Sequence, residues 1–233
     1  MNLIYITGTS SGLGKALAKL LLEDNSNQVV GVARRETIQH ERYTHFNLDL
    51  KETINKNIFE KLPPNCEKVL LINNAGAIGP ITKVGSQSYE EVADNYIVNI
   101  TAPSFLCNQF VQAYQNEKVQ KIIINVSSGA GKHPIEGWST YCSSKAALDM
   151  FSQVLQAEHP DFKVFAVAPG IVDTPMQDAI RSADEQHFPH LDHFKSYKVD
   201  GDLVSAREVA FKYLKIIQEP QNFQEVLLSV RDF

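Results

Sequence analysis

Cysteine is scarce in this chain of 233 residues: Cys66, Cys107 and Cys142 are its thiols, none is close to another, and no Cys-x-x-Cys pair occurs. That excludes a disulfide framework, and an odd set of dispersed thiols is expected of a protein kept reduced in the cytoplasm. Positive charge is short as well. Lys and Arg total 22 against 27 Asp and Glu, a net charge of -5, which leaves no basic surplus to neutralise phosphates and speaks against nucleic acid as a partner. No apolar run approaches the roughly 20 residues that cross a bilayer, so no membrane partner is expected. The opening Met1-Asn2-Leu3-Ile4-Tyr5-Ile6 lacks a basic start and runs into a strand-like pattern, unlike a signal peptide. A metal-ligand set is also missing. His187, His190 and His193 recur every third residue, but Pro189 interrupts a regular helix there and no Cys or Glu completes the set.

What is present is ordinary for a folded globular protein: 43% apolar and 21% charged residues. The length fits one α/β domain spanning 1–233. Short apolar runs at 3–6, 29–33, 45–48, 69–72, 122–126, 164–167 and 226–228 read as strands, most of them continuous enough to be buried on both faces. Segments 13–22, 90–114 and 141–157 carry helical periodicity. Such alternation predicts a parallel sheet with helices on both faces. The stretch 174–203 is rich in His, Phe, Asp and Ser and reads as a lid or binding loop over a substrate.

Strand one leads into Thr7-Gly8-Thr9-Ser10-Ser11-Gly12-Leu13-Gly14, where a helix begins. Glycines permit a tight turn and a close backbone approach, and a helix N-terminus favours an anion. Ser10 and Ser11 add hydroxyl donors. The spacing is G-x-x-x-G-x-G rather than G-x-G-x-x-G, yet the strand–turn–helix context is that of a dinucleotide site. A glycine-rich turn without a ligand is the other reading. Strand two ends Val32-Ala33-Arg34-Arg35, with no carboxylate to hold ribose hydroxyls. Arg34 and Arg35 can fork around an extra phosphate, which favours NADP over NAD. The alternative is a solvated pair beside Glu36.

Tyr141 and Lys145 stand four apart in Tyr141-Cys142-Ser143-Ser144-Lys145. On a helix they share a face. A neighbouring ammonium favours the phenolate, so the pair can exchange a proton with a reacting oxygen. Ser127-Ser128-Gly129 follows the strand at 122–126. Ser128 can polarise a carbonyl there, or can simply close the strand.

Thr7-Gly8-x-x-x-Gly12-x-Gly14, Asp49, Asn73-Asn74-Ala75-Gly76, Asn99, Ser128, Tyr141-x-x-x-Lys145 and Pro169-Gly170 together resemble the short-chain dehydrogenase/reductase family, in the family's order and over most of the chain. The resemblance implies a Rossmann-type doubly wound α/β sheet of about seven parallel strands. It implies Tyr141 as catalytic acid/base, Lys145 as its partner and holder of the nicotinamide ribose, and Ser128 as the group orienting the carbonyl. Asn99 would bend a helix and support a water relay to Lys145. Asp49, with Leu50 beside it, would meet the adenine. Asn74, Ala75 and Gly76 would follow the adenosine ribose, and the other reading of Asn73 is that it serves the sheet alone. Pro169, Gly170, Val172 and Thr174 would border the nicotinamide. Many NADP-using relatives carry a basic residue where this chain has Ser11, so the NADP assignment rests on Arg34, Arg35 and the missing acid at Ala33.

Ser127-Ser128-Gly129-Ala130-Gly131-Lys132, Gly137-Trp138 and Val172-Asp173-Thr174-Pro175-Met176-Gln177 are similar to the branch holding sepiapterin and benzil reductases. That likeness implies NADPH-dependent reduction of a vicinal dicarbonyl, with Trp138 walling the substrate and Asp232 as a pterin anchor or an ordinary terminal charge. It also implies a homodimer or homotetramer built on 90–114 and 141–157. Two other readings use the same residues: an NADP-sensing regulator without chemistry, which the joint presence of Ser128, Tyr141 and Lys145 weighs against, and a dehydratase or epimerase, which consumes no NADPH.

Overall fold

The computed structural model describes residues 1–52 and 57–233. Strands β1 (Asn2–Thr7), β2 (Asn27–Ala33), β3 (Tyr43–Asn47), β4 (Lys68–Asn73), β5 (Gln120–Val126) and β6 (Phe162–Ala168) form one sheet. The seventh strand follows two short ones, β7 (Val172–Asp173) and β8 (Val204–Ser205), and is therefore β9 (Leu227–Ser229). The order is β3-β2-β1-β4-β5-β6-β9 and every pair is parallel. β1, β4, β5 and β6 bury nearly every residue, as strands covered on both faces must.

Alternation along each strand splits the core in two. Ile4, Ile6, Leu70, Ile72, Ile122 and Ile124 face α1 (Gly12–Leu22) and α7 (Ala206–Gln218). Leu3, Tyr5, Val69, Leu71 and Ile123 face the opposite layer, which holds α3 (Ala102–Tyr114) and α4 (Ser139–Glu158). Strand order reverses between β1 and β4, so the chain leaves the two strand ends in opposite directions and opens a crevice there.

Two segments differ from the sequence reading. The helix expected over 90–114 is α2 (Tyr89–Tyr96), a π-helical turn (Ile97–Thr101) and α3. Asn99 lies in that turn, and its amide is committed to the backbone of Ala77 on both sides. It accepts from Ala77 N–H at 2.9 Å and donates to Ala77 O at 2.8 Å. A π turn carries no separate period signal, so hydrophobic spacing alone reads straight through it. The stretch 174–203 is not an irregular loop. It holds α5 (Pro175–Arg181), with Pro175 in its first turn, and α6 (Leu191–Val199). Both helices are too short for a clear period. Their base is closed by the β7–β8 ladder, Val172 opposite Val204 and Asp173 opposite Ser205.

Candidate active site

A cleft of about 930 Å³ opens over the carboxyl ends of the strands at the β1/β4 reversal. Its floor at one end is the turn from β1 into α1. Gly8 takes φ +76, and a side chain there would strike Asn74 and Ala75. The turn is pinned from β4: Thr7 Oγ1 accepts from the Asn74 and Ala75 N–H groups, each at 3.0 Å, and the Asn74 amide donates to Thr7 O at 2.9 Å. Ser11 is the N-cap of α1 but its hydroxyl caps no N–H, and the first turn carries no acidic residue. The free N–H groups and the dipole of α1 thus face the cleft beside Gly8, Ser10, Ser11, Gly12 and Leu13. Gly14 lies behind this surface, where α1 packs so closely on Gly8 and Asn74 that a Cβ has no room.

At the far end of this turn, Val32, Ala33, Arg34, Asp49, Leu50 and Lys51 line the cleft. Arg34 is largely exposed and reaches Asp49 at 3.9 Å. Asp49 also accepts from the Lys51 N–H at 3.0 Å. Asn74, Ala75 and Gly76 form the opposite rim, and Pro169, Gly170, Val172 and Thr174 continue the wall toward α5. These residues fit a nicotinamide dinucleotide: uncapped helix N–H groups for a pyrophosphate, a polar recess at one end and a reactive phenol at the other.

That phenol belongs to Tyr141 on α4. It is buried against Trp138, their rings edge to face with centroids 5.6 Å apart. Burial pushes its pKa up, and a hydrogen bond with Ser128 works against that rise. Ser128 caps the short turn after β5, accepting from the Ala130 N–H at 3.2 Å. Lys145 lies one turn on, its ammonium 5.8 Å from the centroid of the Tyr141 ring and bonded to Val126 O at 2.8 Å. Burial lowers Lys145 to about 8, with Asp149 opposing the fall. A third apolar cluster covers this end, where Trp138 stacks on Phe188 and α6 adds Phe194.

Most of the residues given a catalytic, coenzyme or substrate role in the sequence share this cleft, but four do not line it. Arg35 is exposed outside the lining, Gly14 packs, and Asn99 bonds to Ala77 and, at 3.2 Å, to Ser144. The fourth is Asp232: Arg231 and Ser229 line the wall at that end of the chain. Asn73 faces the α3 layer, donating to Asn125 at 2.9 Å, so it serves the sheet. Sequence reasoning passed over Asp149, His133 and Arg231. Only Asp149 left a signal, being one helical turn beyond Lys145. Among the described residues, no three His, Cys, Asp or Glu side chains converge as a metal site.

A parallel sheet with a dinucleotide-binding turn at its reversal point, and a buried Tyr–Lys pair with a serine beside it, defines an oxidoreductase that works with a nicotinamide coenzyme. A family model described as short chain dehydrogenase matches residues 2–185. The chain is 37% identical over 243 residues to a benzil reductase ((S)-benzoin forming) of Bacillus cereus, covering 97% of each. It is 30% identical over 238 residues to a sepiapterin reductase of Rattus norvegicus, covering 91% of this chain and 90% of the other. Among solved structures, the KRED1-Pglu enzyme superposes with a TM-score of 0.83 at 30% identity, over 93% of this chain and 94% of that one. The chain belongs to the short-chain dehydrogenase/reductase family.

Proposed function

We propose that this protein is an NADPH-dependent carbonyl reductase acting on vicinal dicarbonyls, with aromatic diketones of the benzil kind preferred. The observation that carries the reading is the Tyr141 phenol, buried at the cleft wall with Ser128 and Lys145 beside it and an aromatic cover above. A bound nicotinamide coenzyme supplies the hydride. Ser128 and Tyr141 hold the carbonyl oxygen, and Tyr141 gives it the phenolic proton as negative charge grows there. The field of the Lys145 ammonium stabilises that charge and eases the departure of the proton. Trp138, Phe188 and Phe194 exclude water, which strengthens each of these interactions. We take the α5–α6 segment to be the lid of a single domain.

Support for the diketone preference comes from the walls. Ile78, Ile135, Trp138, Ile180 and Phe194 line the substrate end, and no carboxylate of the described lining lies there. Arg231 and His133 border it instead, a poor match for the polar amino end of a pterin. NADP is favoured because Ala33 leaves no acid at the end of β2, while the Arg34 guanidinium is largely exposed, held only by a 3.9 Å contact with Asp49, and can fork around a phosphate. Three free thiols suit a reducing, cytoplasmic setting. Exposed Phe105 on α3, with Met150 and Val154 on α4, supports a homodimer or homotetramer built on those helices.

Loss of NADPH absorbance with benzil, sepiapterin, a simple ketone and a steroid ketone tests this. Benzil is expected to be fastest, with NADH poorer by roughly 10-fold or more. Equal or better rates with NADH overturn the cofactor assignment. NADPH binding without turnover on any carbonyl overturns the reductase reading in favour of a sensor.

A further inference from the structure

One carboxylate is buried beside the reacting pair and has no part in the scheme above. Asp149 follows Lys145 by one turn of α4 and Tyr141 by two, so the three side chains share a face. It is 7% exposed. Its Oδ1 accepts a short hydrogen bond from the hydroxyl of Ser127, the residue before Ser128. Lys145 meanwhile donates to the carbonyl of Val126 at 2.8 Å. Two successive residues at the end of β5 are thus held by α4, immediately before the serine that faces Tyr141. A buried carboxylate is costly without a counter-charge. The cations acting on Asp149 are Lys145 and Lys132.

We propose that Asp149 is a positioning residue for the reaction: it clamps the Ser127–Ser128 corner of β5 onto α4 and is the buried counter-charge of Lys145. The proposal rests on the roles given above to Tyr141, Ser128 and Lys145. Burial pushes Asp149 up, while Ser127, Lys132 and Lys145 act to keep it ionised. The other titratable groups at this locus are Tyr141 and its neighbour Cys142 on the same helix, and Tyr213 of α7, whose own pKa burial and then Tyr141 push up and which donates to Val167 O at 2.8 Å. His133, from the turn after β5, borders the cleft nearby. With the Asp149 charge removed, nothing named here offsets the burial of Lys145, which then loses its proton at a lower pH.

Asp149→Asn subtracts the charge and keeps the shape, since its amide oxygen can still accept from Ser127. Two readings are taken on the full chain: the titration of Lys145 by NMR of ¹³C-labelled lysine, assigned through Lys145→Arg, and the alkaline limb of kcat for NADPH-dependent reduction. Both are expected to move to lower pH by about one unit. Asp149→Ser carries the same test should the Asn variant not fold. A Lys145 titration that stays in place overturns the proposal, and so does a fall in kcat with both pH profiles unmoved, which marks a merely structural carboxylate. The NMR reading needs no substrate. A wild-type chain silent toward every carbonyl therefore overturns the reductase reading alone, and the titration still decides the role of Asp149.

Discussion

Tyr141 is the proposed proton donor to a carbonyl oxygen held by Ser128. Tyr141→Phe keeps the ring against Trp138 and removes that proton. Turnover is expected to fall by roughly 10²–10⁴-fold while the NADPH dissociation constant, read by fluorescence quenching, stays within a factor of about three. Loss of coenzyme binding together with activity would point to a disturbed fold instead. Lys145 sets the pH behaviour. Its charged form is the one the proposed reaction uses, and burial brings its pKa down to about 8. The ammonium is present below that value and is lost as pH rises through it, so kcat for reduction should decline above about pH 8 and hold steady below. Lys145→Met should abolish that limb along with most of the rate. Arg34, at the other end of the cleft, is the residue proposed to discriminate between coenzymes. Arg34→Ala is expected to raise the KM for NADPH by roughly 10-fold and leave NADH nearly unchanged. Arg35→Ala should do less, because Arg35 does not line the cleft.

At the scale of elements, the α5–α6 segment is docked rather than loose. The β7–β8 ladder ties its base, and Phe188 and Phe194 pack on Trp138 at the start of α4. Gly137 makes the join possible. It adopts φ +84, and a Cβ there would stand 2.7 Å from the carbonyl of His187. Gly137→Ala is therefore expected to cost about 1–3 kcal/mol of stability, read by urea denaturation. It should raise the KM for benzil severalfold with little change in NADPH binding, because the coenzyme turn belongs to β1 and α1. An equal loss of both affinities would mean that this segment also shapes the coenzyme site.

At the scale of the molecule, the outward faces of α3 and α4 keep Phe105, Met150 and Val154 exposed at 41%, 60% and 47%. If two copies pack there, Met150→Glu buries a charge without a partner. Light scattering should then find a smaller species than wild type at the same concentration, with a lower Tm. An unchanged mass would place the contact elsewhere or remove it. Among the described residues no helix is long and apolar enough to cross a membrane.

Local rules carried much of this protein. Apolar runs such as Val69-Leu-Leu-Ile72 become strands wherever they can be buried on both sides, and the glycine spacing of Gly8–Gly14 marks a tight strand-to-helix turn by itself, so both were legible in the order of residues. The Tyr141–Lys145 pair was legible for the same reason, being set by one helical turn. Other features answer to distant partners. The π turn forms because Asn99 finds Ala77, 22 residues away. The α5–α6 segment folds because Trp138 offers it a surface. Arg231 reaches the cleft, and Asp232 does not, only because β9 pairs with β6. Asp149 had the right spacing all along, but its burial and its bond to Ser127 depend on β5 lying against α4. Short-range geometry is written in adjacent residues; burial, and the charge states that burial imposes, exist only once the sheet and its helices have closed on one another.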